Sequence, residues 1–233
     1  MRPKTLDHVA YWLADRDAIA DFATAHLGMH VIERTERFTL VGSDARHGKL
    51  TLFAAEGPRE PGALVHVALR VADLGAALAS LPEDAAVERP REGEAYVDLP
   101  EGVRIGLVEA ATAVDYDLDH VALLAPDPAA TARAYETLGF EPAAPGRSGR
   151  VRVEVGGAFV EFEPGEPGDP ERPLLNHVAV LVDSAEEHIE EADALGIDVD
   201  DVVDAPNTVA VFLRGPERVR IEYVEHKPTF SLT

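Results

Sequence analysis

The chain alternates short apolar, β-branched segments with amphipathic segments of helical period. Four of the apolar segments carry a central histidine, and an aspartate or serine able to cap a helix follows a few residues later. The predicted helices cover residues 15–27, 73–81, 128–138 and 184–195. Three short strands follow each helix, and in the last unit they are expected at 197–203, 207–213 and 219–225. The pattern predicts four β-α-β-β-β units and an α+β fold with mixed, mainly antiparallel sheets.

Three segments of the first half recur in the second half in the same order. Leu6–Ala10 recurs letter for letter as Leu118–Ala122, and Val65–Ala68 is echoed by Asn176–Ala179. Glu101–Glu109 is likewise echoed by Glu217–Glu225. A nearly constant offset indicates a duplicated domain. We therefore expect an N-terminal domain at residues 1–113 and a C-terminal domain at residues 114–233.

The composition narrows the classes of function. The 233 residues carry a formal net charge of −22, which disfavours binding to nucleic acid or to anionic lipid. Hydrophobic residues make up 46%, enough for a folded core, and cysteine is absent, which excludes disulfides and thiolate chemistry. No apolar run is long enough to span a membrane, and no signal-peptide core precedes the first strand. The sequence predicts a cytoplasmic protein that binds neither membranes nor nucleic acid.

The basic residues are almost all arginine. Lys4, Lys49 and Lys227 are the only lysines beside a large excess of carboxylates. Because such a surface repels itself at low ionic strength, we expect the protein to be halophilic, with its stability rising in salt.

Four β-α-β-β-β units that each open on a histidine-bearing strand resemble the vicinal oxygen chelate superfamily. This superfamily includes glyoxalase I, extradiol dioxygenases and bleomycin-resistance proteins. The helix ends Leu27–Met29 and Leu138–Phe140 are similar to the family's helix-to-strand signature. The resemblance covers nearly the whole chain. It implies that the units pair into two cupped sheet domains and that a small-molecule substrate binds in a cup.

The resemblance also implies a set of metal ligands on the first and last strands of the units. In the C-terminal half these positions are His120, Glu161, His177 and Glu222. Imidazole and carboxylate together suit one divalent metal ion, such as Ni, Zn, Co, Mn or Fe(II). The corresponding positions of the N-terminal half are His8, Thr51, His66 and Gly106. They lack a carboxylate, so we expect His8 and His66 to be core residues and the C-terminal half to hold the metal.

Two reaction classes fit this ligand set. Two histidines and two glutamates resemble glyoxalase I, which implies a lyase or isomerase with Glu161 or Glu222 as the base. The set His120, His177 and Glu222 instead resembles the Fe(II) ligands of ring-cleaving dioxygenases. The chain departs from their pattern at Phe212, where they carry tyrosine, and at residues 204–207, where they carry an acid/base histidine.

A third hypothesis is a protein that binds a small molecule without converting it. Its pocket would be lined by aromatic residues, for which the candidates are Tyr116, Phe159, Phe212 and Tyr223. For the glyoxalase-like enzyme, recognition of glutathione or coenzyme A would need basic residues at the mouth of the cup, and the candidates are Arg147, Arg150, Arg152 and Arg214. Members of the superfamily often form homodimers, which the resemblance makes possible here.

Overall fold

The computed structural model describes residues 1–146 and 148–230, which form four modules with the predicted order of elements. Module 1 comprises β1 (Thr5–Leu13), α1 (Arg16–His26), β2 (His30–Arg34), β3 (Phe38–Gly42) and β4 (Lys49–Ala54). Module 2 comprises β5 (Leu64–Val71), α2 (Leu74–Ala79), β6 (Val87–Arg91), β7 (Glu94–Asp98) and β8 (Arg104–Glu109). Module 3 comprises β9 (Asp117–Ala125), α3 (Pro128–Thr137), β10 (Glu141–Ala143), β11 (Val151–Val155) and β12 (Ala158–Pro164). Module 4 comprises β13 (Leu175–Val182), α4 (Ala185–Leu195), β14 (Val199–Asp204), β15 (Thr208–Arg214) and β16 (Arg220–His226).

The helices begin where the sequence supplies a side chain that can cap them. Asp15, Asp73 and Asp127 each accept a hydrogen bond from the backbone N–H three residues ahead. Ser184 does the same for the N–H of Glu187. These bonds satisfy backbone donors that have no partner inside the helix. All four predicted helices are confirmed to within a few residues.

The modules pair into two eight-stranded sheets, and each sheet joins a module of the first half to one of the second. Sheet A combines modules 1 and 4 in the order β14-β15-β16-β13-β1-β4-β3-β2. Sheet B combines modules 2 and 3 in the order β10-β11-β12-β9-β5-β8-β7-β6. The antiparallel pairs β1–β13 and β5–β9 hold the two modules of each sheet together. The α+β fold of two cupped sheets is confirmed, but the sheets do not coincide with residues 1–113 and 114–233.

One face of each sheet packs against its helices, and the other face forms a cup. Helix α1 packs on β3 and β4, and α4 packs on β15 and β16, in sheet A. Helix α3 packs on β11 and β12, and α2 packs on β8, in sheet B. Alternate strand residues therefore point either to the apolar core or into a cup.

The helices of the described ranges are too short and too polar to span a membrane.

A β-bulge precedes each of the four histidines. In the β1–β13 pair the register skips Asp7 on one strand and Asn176 on the other. In the β5–β9 pair it skips Val65 and Asp119. A bulge places two successive side chains nearer to the same face, because the extra residue breaks the alternation of the strand. Each bulge residue therefore lies beside the imidazole that follows it.

Candidate metal centre

Four copies of His-Val-Ala build the floors of the two cups. In sheet A, His8 pairs with Ala179 and Ala10 pairs with His177. In sheet B, His66 pairs with Ala122 and Ala68 pairs with His120. Each histidine thus faces an alanine of the partner module, and the crossed pairs bring two imidazoles together. We call the face with His8 and His177 cup A, and the face with His66 and His120 cup B.

The last strand of each module adds one side chain beside the alanine of the motif. In cup A these residues are Thr51, paired with Ala10, and Glu222, paired with Ala179. In cup B they are Gly106, paired with Ala68, and Glu161, paired with Ala122. Each cup therefore has two histidines and one glutamate.

Three potential ligand atoms converge in cup A. The Nε2 atoms of His8 and His177 are 3.0 Å apart. They lie 3.1 and 2.7 Å, respectively, from Oε2 of Glu222. The three side chains form the one group of this kind found among residues 1–146 and 148–230. Their separations suit three ligands of a single ion.

The bulge residues fix which ring nitrogens carry protons in cup A. Nδ1–H of His8 donates to the Asp7 carboxylate at 2.8 Å, and Nδ1–H of His177 donates to the Asn176 amide oxygen at 3.0 Å. Both neutral rings consequently turn an Nε2 lone pair toward Glu222. Oε2 of Glu222 is buried and, as long as both rings are neutral, has no hydrogen-bond donor within the described chain. Three buried acceptors that face one point fit a cation, and a divalent metal ion satisfies all three.

The charges around cup A follow from the same contacts. Burial alone would lower the pKa of His8, but the charges of Glu222 and Asp7 outweigh it and raise that pKa to about 9. Burial would raise the pKa of Glu222, yet the two imidazoles hold it far below its usual value. For His177, burial dominates and lowers the pKa. Without a metal ion, one proton on His8 takes the place of the cation.

A buried network supports His8 from behind. Asp7 accepts a hydrogen bond from Nζ of Lys49 at 2.8 Å and pairs with Nε2 of His226 at 3.0 Å. The ring of Phe230 stacks on His226 with 4.0 Å between the centroids. Burial raises the pKa of Asp7, but Lys49 and the two histidines lower it well below its usual value. Asp7 is therefore an ionised acceptor that fixes the orientation of the His8 ring.

Aromatic side chains form the wall of cup A. The ring of Phe212 lies 5.2 Å from that of His177, edge to face, and Phe53 lies 6.1 Å from His177. Trp12 and Phe38 pack on Phe53 at 5.2 and 5.6 Å. These rings give the cup an apolar wall that suits an organic substrate, and Arg220 adds a guanidinium group over the Phe212 ring at 4.2 Å.

Cup B has similar residue types but a different geometry. The Nε2 atoms of His66 and His120 are 2.9 Å apart, whereas Oε2 of Glu161 is 4.0 Å from His120. Glu161 lies near two guanidinium groups instead, at 3.9 Å from both Arg150 and Arg152. It also accepts a hydrogen bond from Oγ of Ser148 at 3.2 Å. Two neighbouring guanidinium groups disfavour a cation in cup B.

The four predicted ligands do not form one site. His177 and Glu222 lie together in cup A, but His120 and Glu161 lie in cup B. The expectation of a quartet within residues 114–233 is corrected because modules 3 and 4 belong to different sheets. His8 is likewise not a core residue, since its Nε2 faces the other two potential ligands of cup A.

The other candidates are also divided. Phe212 lines cup A, and Phe159 lies in cup B beneath Arg152. Tyr116 and Tyr223 lie in neither cup: Tyr116 packs on Gly28, and the hydroxyl of Tyr223 donates to the Leu138 carbonyl at 2.6 Å. Arg150 and Arg152 line cup B, whereas Arg214 is exposed and pairs with Asp200. Arg147 lies outside the described residues.

Sequence reasoning missed the bulge residues and the convergence of His8 with His177 and Glu222. A signal for both is present in the residue before each histidine. It is Asp or Asn in modules 1, 3 and 4 but Val65 in module 2. Only an oxygen acceptor at this position can bind Nδ1–H, which marks the imidazoles that are prepared to ligate through Nε2.

Comparisons with known proteins agree with this architecture. Residues 5–96 match the model of the Glyoxalase/Bleomycin resistance protein/Dioxygenase superfamily. No match to a curated protein was found. The domain match extends from module 1 into module 2, so it does not depend on how the modules pair.

Solved structures share the fold over almost the entire chain. A putative dioxygenase from Bacillus subtilis superposes with a TM-score of 0.81 at 18% identity, covering 98% of this chain and 87% of that one. Glyoxalase I from Zea mays superposes with a TM-score of 0.74 at 16% identity, covering 95% and 92%. At these identities the similarity concerns the fold alone. Residues 5–96 therefore contain a domain of the Glyoxalase/Bleomycin resistance protein/Dioxygenase superfamily, and the whole described chain shares the four-module fold of these solved structures.

Proposed function

We propose that the protein is a divalent-metal-dependent enzyme that acts in cup A on a small substrate with two neighbouring oxygen atoms. The observation that supports this most directly is the convergence of His8, His177 and Glu222, three largely buried side chains whose potential ligand atoms lie within 3.1 Å of one another. A metal ion held there would bind the two substrate oxygens and stabilise negative charge that develops on them.

Of the two reaction classes, the ligand set favours an extradiol-type dioxygenase that uses Fe(II). Cup A offers two histidines and one carboxylate, the set typical of non-haem Fe(II) oxygenases. Thr51 stands where a glyoxalase-like quartet would need a second carboxylate. Three protein ligands leave room for both substrate oxygens and for a further small ligand. The aromatic wall around Phe53 and Phe212 suits a planar ring.

A glyoxalase-like lyase or isomerase is the second candidate, and Glu222 is the observation in its favour. It is the one carboxylate that the last strands contribute to cup A, and it is held ionised. A carboxylate at the metal could remove a proton next to a substrate carbonyl. In this reaction Glu222 would act both as ligand and as base.

The deciding experiment compares metals, substrates and one variant. The purified protein is stripped with chelator and reloaded separately with Fe(II), Ni(II) or Zn(II). Oxygen uptake is measured with a panel of catechols, and isomerisation is measured with the hemithioacetal of methylglyoxal and glutathione. Fe(II)-dependent oxygen uptake would support the dioxygenase, and Ni- or Zn-dependent isomerisation the second candidate. A protein that takes up no metal would contradict both and support the binding protein.

Thr51→Glu separates the two enzymes further. It adds a carboxylate at the fourth position, so the variant should keep its metal in either case. In a dioxygenase, the added ligand occupies a position that oxygen or substrate needs, and oxygen uptake should fall by at least about a hundredfold. Thr51→Ser keeps a hydroxyl there and is the control, which should retain activity.

A further inference from the structure

Cup B contains a cavity of about 210 Å³ whose chemistry differs from that of cup A. Its polar lining comprises His120, Ser148, Arg150, Arg152 and four carboxylates, of which Glu94 pairs with Arg91, Asp119 pairs with Arg70, Glu109 lies at the rim and Glu161 faces the two arginines. None of these residues takes part in the function proposed for cup A. Both hydrogen-bond donors and acceptors therefore line the cavity.

The histidine pair of cup B is satisfied without a metal ion. Nδ1–H of His120 donates to the bulge residue Asp119 at 2.8 Å, so its Nε2 is an acceptor. The bulge residue before His66 is Val65, which has no acceptor in its side chain. His66 is therefore able to carry its proton on Nε2 and to donate it to His120 across 2.9 Å. A single Nε2–H hydrogen bond therefore satisfies both rings of cup B. In cup A, by contrast, the Nε2 atoms of both neutral rings are acceptors.

Cup B has no room for a second carboxylate on the last strand of module 2. Gly106 occupies the position that corresponds to Glu222, opposite Tyr96 on the neighbouring strand. A Cβ atom on Gly106 would lie only 3.0 Å from both the Tyr96 ring and the Ala68 side chain. The ring of Tyr96 instead packs against His66, with centroids 4.8 Å apart.

Guanidinium donors and a carboxylate acceptor lie side by side in the cavity. The NH1 atoms of Arg150 and Arg152 are each 3.9 Å from Glu161, too far for a hydrogen bond. NH2 of Arg150 pairs with Glu163 at 2.9 Å, and the NH1 groups of both arginines can therefore bind a further oxygen anion. The guanidinium carbon of Arg152 lies over the Phe159 ring, 3.7 Å from its centroid, and its Nε–H donates to the Ala144 carbonyl, so its position is fixed. Glu161 keeps acceptor capacity beyond its bond from Ser148.

We propose that cup B binds a small 2-hydroxycarboxylate without a metal ion. The carboxylate would accept hydrogen bonds from Arg150 and Arg152, and the adjacent hydroxyl would donate to Glu161. Because the hydroxyl of the ligand faces Glu161 and its carboxylate faces the arginines, the two carboxylates do not lie against each other. The volume suits about ten non-hydrogen atoms, and Tyr96 and Phe159 supply apolar walls.

The test uses mandelate as the probe and full-length protein stripped of metal with chelator. Titration calorimetry is expected to detect mandelate binding under these conditions. Phenylacetate lacks the hydroxyl and mandelamide lacks the charge, so each should bind about tenfold more weakly or worse. Because no metal is present, cup A cannot hold mandelate through chelation, and failure of the cup A proposal would leave this result unchanged.

Matched variants assign the binding to cup B. Arg152→Gln should weaken mandelate binding by about tenfold or more, since it removes a charged donor. Arg220→Gln is the control: Arg220 lies on the Phe212 ring in cup A at 4.2 Å, as Arg152 lies on Phe159. Glu161→Gln should reduce the preference for mandelate over phenylacetate toward one. The proposal is overturned by no binding at about 10 mM mandelate, or by equal binding of phenylacetate. Binding that Arg220→Gln weakens as much as Arg152→Gln does would also overturn it.

Discussion

The residue before each histidine occupies a bulge, and its side chain determines which nitrogen of the next ring carries the proton. Asp7 and Asn176 accept from Nδ1–H, so both imidazoles of cup A present Nε2 lone pairs. Val65 cannot accept, so His66 is free to donate from Nε2. Two cups with the same residue types at their floors therefore differ in whether they require a cation.

Replacing Asn176 with valine reproduces the Val65 arrangement in cup A. The His177 ring loses its acceptor and is free to take the other tautomer, which removes one Nε2 ligand. We expect Asn176→Val to weaken metal binding by about 10- to 100-fold. Titration of the stripped protein with Zn(II) against a fluorescent chelator measures the change. Val65→Ala is the matched control in cup B and should leave the affinity unchanged; a similar loss there would contradict the argument.

Metal uptake should release a proton from His8. With a pKa raised to about 9 by Glu222 and Asp7 despite burial, His8 is protonated at pH 7 in the metal-free protein. A metal ion must displace that proton, so about one proton should be released for each ion bound at pH 7 and almost none above pH 9. The apparent affinity should rise about tenfold for each pH unit below 9 and then level off. Calorimetry in buffers of different ionisation enthalpy counts the protons, and no release at pH 7 would contradict the assignment.

At the scale of the elements, the sequence was sufficient for the modules but not for their pairing. Caps and periodicity place the four helices, and the apolar segments place the strands. The four opening strands all read His-Val-Ala, so the sequence does not distinguish β1–β13 from a pairing of β1 with β5. Because pairing decides which histidines meet, only half of the candidate ligand set could be predicted: His177 and Glu222 share cup A, and His8 is the third member.

The β11–β12 turn shows how the two sheets fit together. Gly156 and Gly157 both have positive φ, +57° and +84°, as a two-residue hairpin turn requires. A Cβ atom on Gly156 would lie 2.0 Å from the Lys4 carbonyl oxygen at the start of β1, whereas one on Gly157 would meet nothing within 4 Å. The turn of sheet B thus packs directly against the first strand of sheet A.

This contact predicts different effects for two neighbouring substitutions. Gly157→Ala should cost only the backbone strain of about 1–2 kcal/mol. Gly156→Ala adds a clash with backbone that is not free to rotate away, and it should cost about 1–3 kcal/mol more. Urea unfolding of both variants gives the comparison, in which Gly157→Ala is the control for strain. Equal losses of unfolding free energy in the two variants would show that the turn does not pack tightly against β1.

At the scale of the whole molecule, acidic charge is the dominant surface property. The chain carries 43 carboxylates against 21 lysines and arginines. Several of the basic side chains already lie against carboxylates in the two cups: Lys49 donates a hydrogen bond to Asp7, and Arg152 lies near Glu161. Much of the remaining surface therefore bears uncompensated negative charge, which opposes the compact state through self-repulsion.

Salt should relieve this repulsion and stabilise the fold. The screening length falls from about 10 Å at 0.1 M salt to about 3 Å at 1 M, which is shorter than most distances between surface carboxylates. We expect the melting temperature to rise by at least about 5 °C between dilute buffer and molar KCl, or roughly 2 kcal/mol for a chain of this size. Helix α4 offers a local control, because Glu190 and Asp193 are exposed like charges one turn apart in its C-terminal half, where the helix dipole also disfavours carboxylates. Replacing both with glutamine should raise the melting temperature in dilute buffer and have little effect in molar KCl. A melting temperature that is the same in both solutions would contradict the halophilic interpretation, since self-repulsion would then contribute nothing measurable to stability.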